Sequence, residues 1–357
     1  MRICYIINTL ATGGAENMLV RHIDWMANKH DQYVLVLGSK SDLEDDIKNV
    51  GVDVEKLEID SIKKPEEFFR AVKAVSDVEP DIYHSHLPRP IIIGAVASLC
   101  TGIPIVSTHH SIQRSPLETK YNVTKLVSLA TNMNVGVSPS VTESREPFLS
   151  SPCSSWKTIP NAIDFGDFGH SSGQTTDNDS SQVITSVGRY VPEKRHSLFI
   201  HAISRLRELD YDVEAKIVGW GPLEDELQQL VASLDLHDRV EVTGKVDDVC
   251  PYYQLSDAIA LCGRQEGLPI VALEALACGT PLVGVNEPGI TDVIDTRYGT
   301  TAADSSVIGL SKAIAKEIAI SRNSKKIQQV GKQKFGKKSY TQKYNRVYSQ
   351  VRNNSSS

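Results

Sequence analysis

Short, dense apolar runs alternate along this chain with longer stretches in which apolar residues recur every three or four positions. Runs at 3–8, 33–37, 81–84, 105–107 and 134–137 have the length and composition of buried strands, and the stretches between them have the period of amphipathic helices. That rhythm predicts a parallel, doubly wound sheet. It stops at 170–182, where Ser, Thr, Asn, Asp, Gln and Gly leave too little apolar surface for a core. It resumes with runs at 183–187, 214–218, 240–243, 258–261 and 281–285, each followed by a helical pattern. The expected architecture is therefore α/β, with two doubly wound, Rossmann-like domains facing a central cleft. Residues 1–165 form the first domain, 166–182 the linker and 183–338 the second domain. Ligands of wound sheets bind outside the carboxyl ends of the strands, which places the chemistry at that cleft.

Beyond Lys325 the chain is rich in lysine, and Tyr340, Tyr344 and Tyr348 fall on one helical face ahead of a Ser/Asn tail. Residues 339–357 are expected to form a closing helix that packs back toward the N-terminal domain, with the tyrosines as packing residues. A length of 357 residues suits two domains, each able to bury a core. A hydrophobic content of 40%, a charged content of 23% and a net charge of -6 describe an ordinary globular protein and argue against nucleic acid as a partner. Cys4, Cys100, Cys153, Cys250, Cys262 and Cys278 lie far apart in the sequence without metal-ligand spacing, as expected of reduced thiols in a cytoplasmic protein. The apolar start is short and turns at once into Thr12-Gly13-Gly14, so it reads as a first strand and not a signal peptide. No apolar run approaches the ~20 residues of a membrane helix.

The most telling segment runs from Glu266 to Gly279. Pro269 suits the first position of a helix and Gly279 the left-handed position that ends one. Glu266 then lies in the loop just ahead, and the N–H groups of Gly267, Leu268 and Ile270 lie near the helix mouth, where phosphate is attracted. Glu274 falls among Ile270, Val271, Leu273, Leu276 and Ala277, and a carboxylate in such company needs a polar partner. Sugar or ribose hydroxyls would serve. The competing reading is a surface helix with Glu274 as its one exposed position and Glu266 as an ordinary loop residue.

Gly188-Arg189-Tyr190-Val191-Pro192-Glu193-Lys194 leaves a strand through glycine and enters a helix at Pro192, so Arg189 and Lys194 converge at a strand end. Two cations there would neutralise a diphosphate; singly, each reads as solvated surface charge. Thr12-Gly13-Gly14-Ala15-Glu16 links the first strand to the first helix and lets a phosphate or sugar approach the backbone. The dinucleotide fingerprint G-x-G-x-x-G is missing there, which counts against a nicotinamide enzyme. His84, His86, His109 and His110 follow strands and are expected at the cleft, either donating to substrate oxygens or, for His109, turned into the sheet. A zinc site lacks supporting Cys or carboxylate spacing. Asp177-Asn178-Asp179 imitates a metal-holding motif inside the linker, and Asp164-Phe165-Gly166 imitates a kinase triplet without its companions.

Taken together, these motifs resemble the retaining glycosyltransferases of family 4, which have the two-domain GT-B fold. The resemblance covers nearly the whole chain and runs in order through Gly13-Gly14-Ala15-Glu16, His84-Ser85-His86, Thr108-His109-His110, Ile159-Pro160-Asn161-Ala162-Ile163-Asp164, Gly188-Arg189 with Lys194, Val218-Gly219-Trp220-Gly221-Pro222-Leu223, and Glu266 with Glu274. It implies that Arg189 and Lys194 bind the donor diphosphate, that Glu274 holds the ribose and that Glu266 contacts the transferred sugar. The amides of Gly267, Leu268 and Ile270 would support sugar and phosphate, and the backbone of Lys245 and Val246 the base. Gly14, beside Gly13, would lie against phosphate and His110 would contact the donor sugar. Trp220, Ala162 and Arg195 depart from the family pattern, an acidic or small residue, a glycine and a glycine being usual at these positions.

The implied reaction moves a hexose from a UDP- or GDP-linked sugar to a hydroxyl of a glycan or lipid-linked acceptor, with retention, without a metal and without a cofactor. Glu266 as a covalent nucleophile is the competing mechanism. A sugar-nucleotide epimerase and a non-catalytic nucleotide-sugar-binding subunit are the alternative functions. Assembly of bacterial surface polysaccharide or lipopolysaccharide is the implied setting. Arg114, Lys120 and Lys125 either meet an anionic lipid-linked glycan or the inner face of the cell membrane, or are solvated surface charge.

Overall fold

A computed structural model describes residues 1–113, 127, 129–149, 151–152, 154–168 and 181–355. Arg114, Lys120, Lys125, Cys153, the Asp177-Asn178-Asp179 triplet and most of the expected linker lie outside the described residues. The chain divides into two compact units, Met1–Ala162 with Lys337–Ser357, and Ile163–Gly336.

Among the described residues the first unit holds a parallel sheet of seven strands: β1 (Arg2–Ile7), β2 (Asp31–Val36), β3 (Asp53–Lys56), β4 (Ile82–His86), β5 (Ile105–His109), β6 (Met133–Gly136) and β7 (Ser155–Thr158), in the order β3-β2-β1-β4-β5-β6-β7. Its central strands are covered on both faces. β4 and β5 are buried at every position and β1 at all but the first; in β1 this gives a continuous apolar run, whereas β4 and β5 each end in three buried polar residues, His84-Ser85-His86 and Ser107-Thr108-His109. Edge strand β3 is largely exposed and edge strand β7 largely half-buried; they carry Asp, Glu, Lys and Ser and produce no such run.

The second unit holds six parallel strands: β8 (Gln182–Val187), β9 (Val213–Val218), β10 (Val240–Gly244), β11 (Ala258–Leu261), β12 (Leu282–Gly284) and β13 (Gly299–Thr301), in the order β10-β9-β8-β11-β12-β13. Residues 163–165, expected to end the first domain, group with this second unit. The Ile163 amide donates to the Phe335 carbonyl at 3.1 Å, and the Phe165 ring lies under Gly331, leaving a kinase-like reading of Asp164-Phe165-Gly166 no role. In each sheet the chain reverses direction of growth once, between β1 and β4 and between β8 and β11. Such switch points are where wound sheets open to ligands.

The closing helix starts two residues earlier than expected, at Lys337, and runs to Ser355. Tyr340, Tyr344, Tyr348, Val347 and Val351 are buried, so the tyrosines do pack, but their hydroxyls are also engaged. Tyr348 Oη lies 2.7 Å from His84 Nδ1 and 2.8 Å from His22 Nε2, and Tyr340 Oη lies 3.0 Å from His22 Nδ1. His84 Nε2 lies 2.8 Å from Thr108 Oγ1, which meets Tyr344 Oη at 3.1 Å. His84 is therefore a core residue with both ring nitrogens taken, and the expectation that it faces a ligand is corrected: β4 carries it into the helix-covered side of the sheet. No group of three or more His, Cys, Asp or Glu is arranged to hold a metal ion among the described residues. Five described cysteines are free thiols, with Cys250 and Cys278 3.7 Å apart at sulfur, and no described helix is long and apolar enough to cross a membrane.

Burial keeps these imidazoles neutral. It lowers His22 to about 3 and His109 to about 3 from an ordinary 6.5, and holds His84 and His86 well below it. Between the ordinary and the lowered values the unfolded chain binds more protons than the folded one, so stability rises with pH there and is lost as pH falls below 6.5. Each such histidine contributes a slope of up to about 1.4 kcal/mol per pH unit. Melting followed by calorimetry from pH about 7 to about 5 should show a falling Tm and uptake of more than about one proton per chain on unfolding. A Tm flat across this interval would contradict the neutral network.

Candidate active site

At the carboxyl end of β8 the chain passes Gly188 and exposed Arg189, makes a single 3-10 turn over Pro192–Lys194, and enters the helix His196–Glu208. Glu266 follows β11, the neighbour of β8 across the switch point. The fold brings the two residues together: Lys194 Nζ lies 2.6 Å from Glu266 Oε1, with 24% and 18% of the side chains exposed. They line an open pocket with Ser186, His196, Cys262 and Pro269. Arg189 stands beside this pair in sequence with its side chain in solvent.

Glu266 is gripped by backbone. Its carboxylate folds over Gly263, where a Cβ would lie 2.5 Å from Oε1. Behind it, Gly289 at φ 82 lies so close that a Cβ there would stand 1.9 Å from the Glu266 carbonyl oxygen. The Arg264 amide donates to the Glu193 carbonyl at 2.8 Å and ties the loop to the 3-10 turn. Gly289 escaped the sequence reading, although Pro288-Gly289 is a turn dipeptide.

The helix after Glu266 spans Ile270–Cys278 and ends at Gly279, φ 82, as expected. Pro269 is its N-cap and not its first residue: a ψ of 120 leaves it extended, its carbonyl accepting from the Ala272 amide at 3.2 Å. Ile270, Val271 and Glu274 are half-buried while Ala272, Leu273, Ala275 and Leu276 are buried, so Glu274 sits on the one open stripe. The polar partner it was expected to need is supplied in part by the protein itself. Buried Tyr253 donates its hydroxyl to Glu274 Oε2 at 2.9 Å. Gly267 and Leu268 are buried in the loop between.

At the end of β10 the Gly219 amide donates to the Gly244 carbonyl at 3.1 Å, and Tyr190 Oη receives the Gly244 amide at 3.3 Å while donating to the Ile217 carbonyl at 2.7 Å. This fastens the turn that presents exposed Lys245 and half-buried Val246. Trp220, beside it, is 45% exposed.

In the first unit Gly13 caps the helix Gly14–Met26 and Gly14, exposed, opens it. The Glu16 carboxylate lies across this mouth, 2.4 Å from where a Gly13 Cβ would be, in the field that favours an anion. His109 turns into the sheet, its Nε2 2.9 Å from Asn134 Oδ1 and its ring stacked on Trp156. His110, one residue on, remains half-buried; its Nε2 lies 2.9 Å from His86 Nδ1 and the rings stack at 5.2 Å. Burial, with Arg145 nearby, lowers His110 to about 4, so it is neutral. His86 itself is 2% exposed and cannot reach a ligand, against expectation.

Comparison with known proteins agrees with this geometry. The profile described as Glycosyltransferase Family 4 matches residues 12–166, and that described as Glycosyl transferases group 1 matches 169–334. An N-acetyl-alpha-D-glucosaminyl L-malate synthase of Bacillus anthracis is 31% identical over 131 residues, covering 36% of this chain and 34% of that enzyme. The match thus spans about a third of that relative. A longer match, 25% identical over 285 residues and 77% of each chain, is to the Campylobacter jejuni enzyme named GalNAc-alpha-(1->4)-GalNAc-alpha-(1->3)-diNAcBac-PP-undecaprenol alpha-1,4-N-acetyl-D-galactosaminyltransferase. HepE of Anabaena, solved in complex with UDP, superposes with a TM-score of 0.83 at 19% identity, over 98% of this chain and 100% of that one. With two parallel, Rossmann-like sheets and family profiles that meet end to end, the chain belongs to glycosyltransferase family 4 and has the GT-B fold.

Proposed function

We propose that this protein is a retaining glycosyltransferase that moves a hexose from a UDP- or GDP-linked sugar to a hydroxyl of a glycan or lipid-linked acceptor in bacterial surface polysaccharide or lipopolysaccharide synthesis, without a metal or resident cofactor. The observation that carries the reading is the Lys194–Glu266 pair at the β8/β11 switch point, with Arg189 on the strand end beside it. A diphosphate sugar offers both members a new partner: phosphate oxygen for Lys194 and a sugar hydroxyl for Glu266. Glu274 on the open stripe of its helix takes the ribose, the turn at Lys245 and Val246 the base. In the first unit Gly14 takes phosphate and His110 a sugar oxygen. The name of the Campylobacter relative supports a lipid-linked acceptor.

Chemically, the bond from the anomeric carbon to phosphate breaks as the acceptor oxygen bonds to that carbon, and negative charge grows on the departing diphosphate. Arg189 and Lys194 stabilise that charge more in the transition state than in the ground state, which is the part that accelerates. The acceptor proton passes to a departing phosphate oxygen on the same face, giving retention and a free nucleoside diphosphate. A Glu266 carboxylate bonded to an ammonium is a better hydroxyl acceptor than nucleophile.

Five measurements test the reading. In a thermal-shift panel, saturation with the right nucleotide sugar at about 100 Kd should add about 2.7 kcal/mol of apparent stability. Lys194→Ala should weaken that donor by about 10- to 100-fold, the loss of one charge-assisted hydrogen bond. Glu266→Gln should lower turnover, and near-normal turnover would remove Glu266 from the reaction. Gly289→Ala forces the Glu266 carbonyl to move and should lower Tm together with donor affinity; strain of this kind is about 1–3 kcal/mol. Conversion of the donor sugar without any acceptor would establish an epimerase instead, and donor binding without transfer to any acceptor hydroxyl a non-catalytic subunit.

A further inference from the structure

The stacked pair His86 and His110 shares a single proton across the 2.9 Å gap between His86 Nδ1 and His110 Nε2. Which nitrogen holds it is decided by the far side of His86. That nitrogen, Nε2, is buried without a hydrogen-bond partner in a residue 2% exposed. If His110 donated, neutral His86 would have to carry its own proton on Nε2, as an N–H with no acceptor. If His86 donates from Nδ1, its Nε2 is a bare, buried ring nitrogen with no N–H to satisfy. Orphaned buried N–H groups are rarer and costlier than under-used acceptors. The second arrangement is favoured, and it dictates the next ring. His110 Nε2 becomes an acceptor, so neutral His110 carries its proton on Nδ1.

We infer that His86 is a positioning residue that locks His110 in the Nδ1–H form, so that His110 acts as a hydrogen-bond donor to a sugar oxygen and not as the base that takes the acceptor proton. This rests on the assignment of His110 to the donor sugar above. It sharpens the mechanism, because Nδ1 is already protonated and Nε2 is occupied by His86. The acceptor proton has no site on this imidazole and goes to the departing phosphate. The ring is also held in place from behind, His86 being packed by His84 and, at 6.5 Å between centroids, Tyr5.

The test uses the full chain with 15N-labelled histidine. Long-range 1H–15N correlation spectra, assigned with His110→Gln and His86→Gln, should show wild-type His110 protonated at Nδ1 and bare at Nε2. His86→Leu removes the donor, so His110 should shift to the Nε2–H form or a mixture, with kcat falling on the order of tenfold. His86→Gln keeps an N–H donor and should restore both the tautomer and part of the rate. Wild-type His110 protonated at Nε2 overturns the inference, as does an unchanged tautomer in His86→Leu; if that variant does not fold, the wild-type spectrum decides. The underlying assignment fails separately: His110→Ala with unchanged turnover and donor affinity removes His110 from the sugar site whatever its tautomer.

Discussion

A half-buried lysine and a half-buried glutamate, 2.6 Å apart at the strand-order reversal of the second unit, set the terms for the rest of that unit. Partial burial makes each charge costlier alone than in water, and the 2.6 Å pairing offsets that cost. Pairing solves the problem while no ligand is bound. A nucleotide diphosphate sugar would solve it in a second way, since phosphate can satisfy the ammonium and hydroxyls the carboxylate. The surrounding backbone holds the pair in place. Gly263 makes room for the carboxylate, Gly289 braces its carbonyl, and the Arg264 amide fixes the loop to the turn that carries Lys194.

The first unit manages its buried polar groups differently, by keeping them neutral. His22, His84, Thr108 and the tyrosines of the closing helix share hydrogen bonds in which hydroxyls act as both donor and acceptor, so no charge needs a counter-ion. The helix that supplies those hydroxyls lies more than 200 residues away in sequence from the imidazoles it satisfies. That helix supplies the only described partners of His22 Nδ1 and His84 Nδ1, while His84 Nε2 is met by Thr108 within the sheet and His22 Nε2 also by Tyr5, which ties the core of the first unit to the closing helix. The His86–His110 pair continues from the edge of this network toward the strand ends, where the imidazoles first regain exposure.

Sequence periodicity was sufficient for every strand buried on both faces, including β4 and β5, whose apolar starts give way to three polar residues each, and for the alternating edge strand β10. It missed β3, β7 and β13, which lie at sheet edges and are short or polar. Among the candidate residues, the places of Arg189, Lys194, Glu266 and Glu274 in the fold were legible because turn residues fixed them at strand ends and at a helix start. Contacts that depend on tertiary approach were not. Nothing near Glu274 in sequence signals Tyr253, twenty-one residues earlier, as its hydrogen-bond partner. Nothing near His84 marks it as a core residue, since a histidine at a strand end looks the same whether a ligand or a tyrosine covers it.

Arg195 shows how a departure from the family pattern can be read once its contacts are known. Following Lys194, it adopts the left-handed conformation, φ 54 and ψ 39, which costs an L-residue about 1–2 kcal/mol and explains why glycine suits the position. Its guanidinium offsets that strain by meeting the Glu287 carboxylate at 3.2 Å and the Ser305 carbonyl at 2.7 Å, with 12% of the side chain exposed. Glu287 opens the turn whose Gly289 braces the Glu266 carbonyl. The substitution therefore links the residue after Lys194 to the backbone behind Glu266, clamping both halves of the ion pair from the far side. Its side chain is committed to that clamp, so what distinguishes this chain at position 195 is the support of the site.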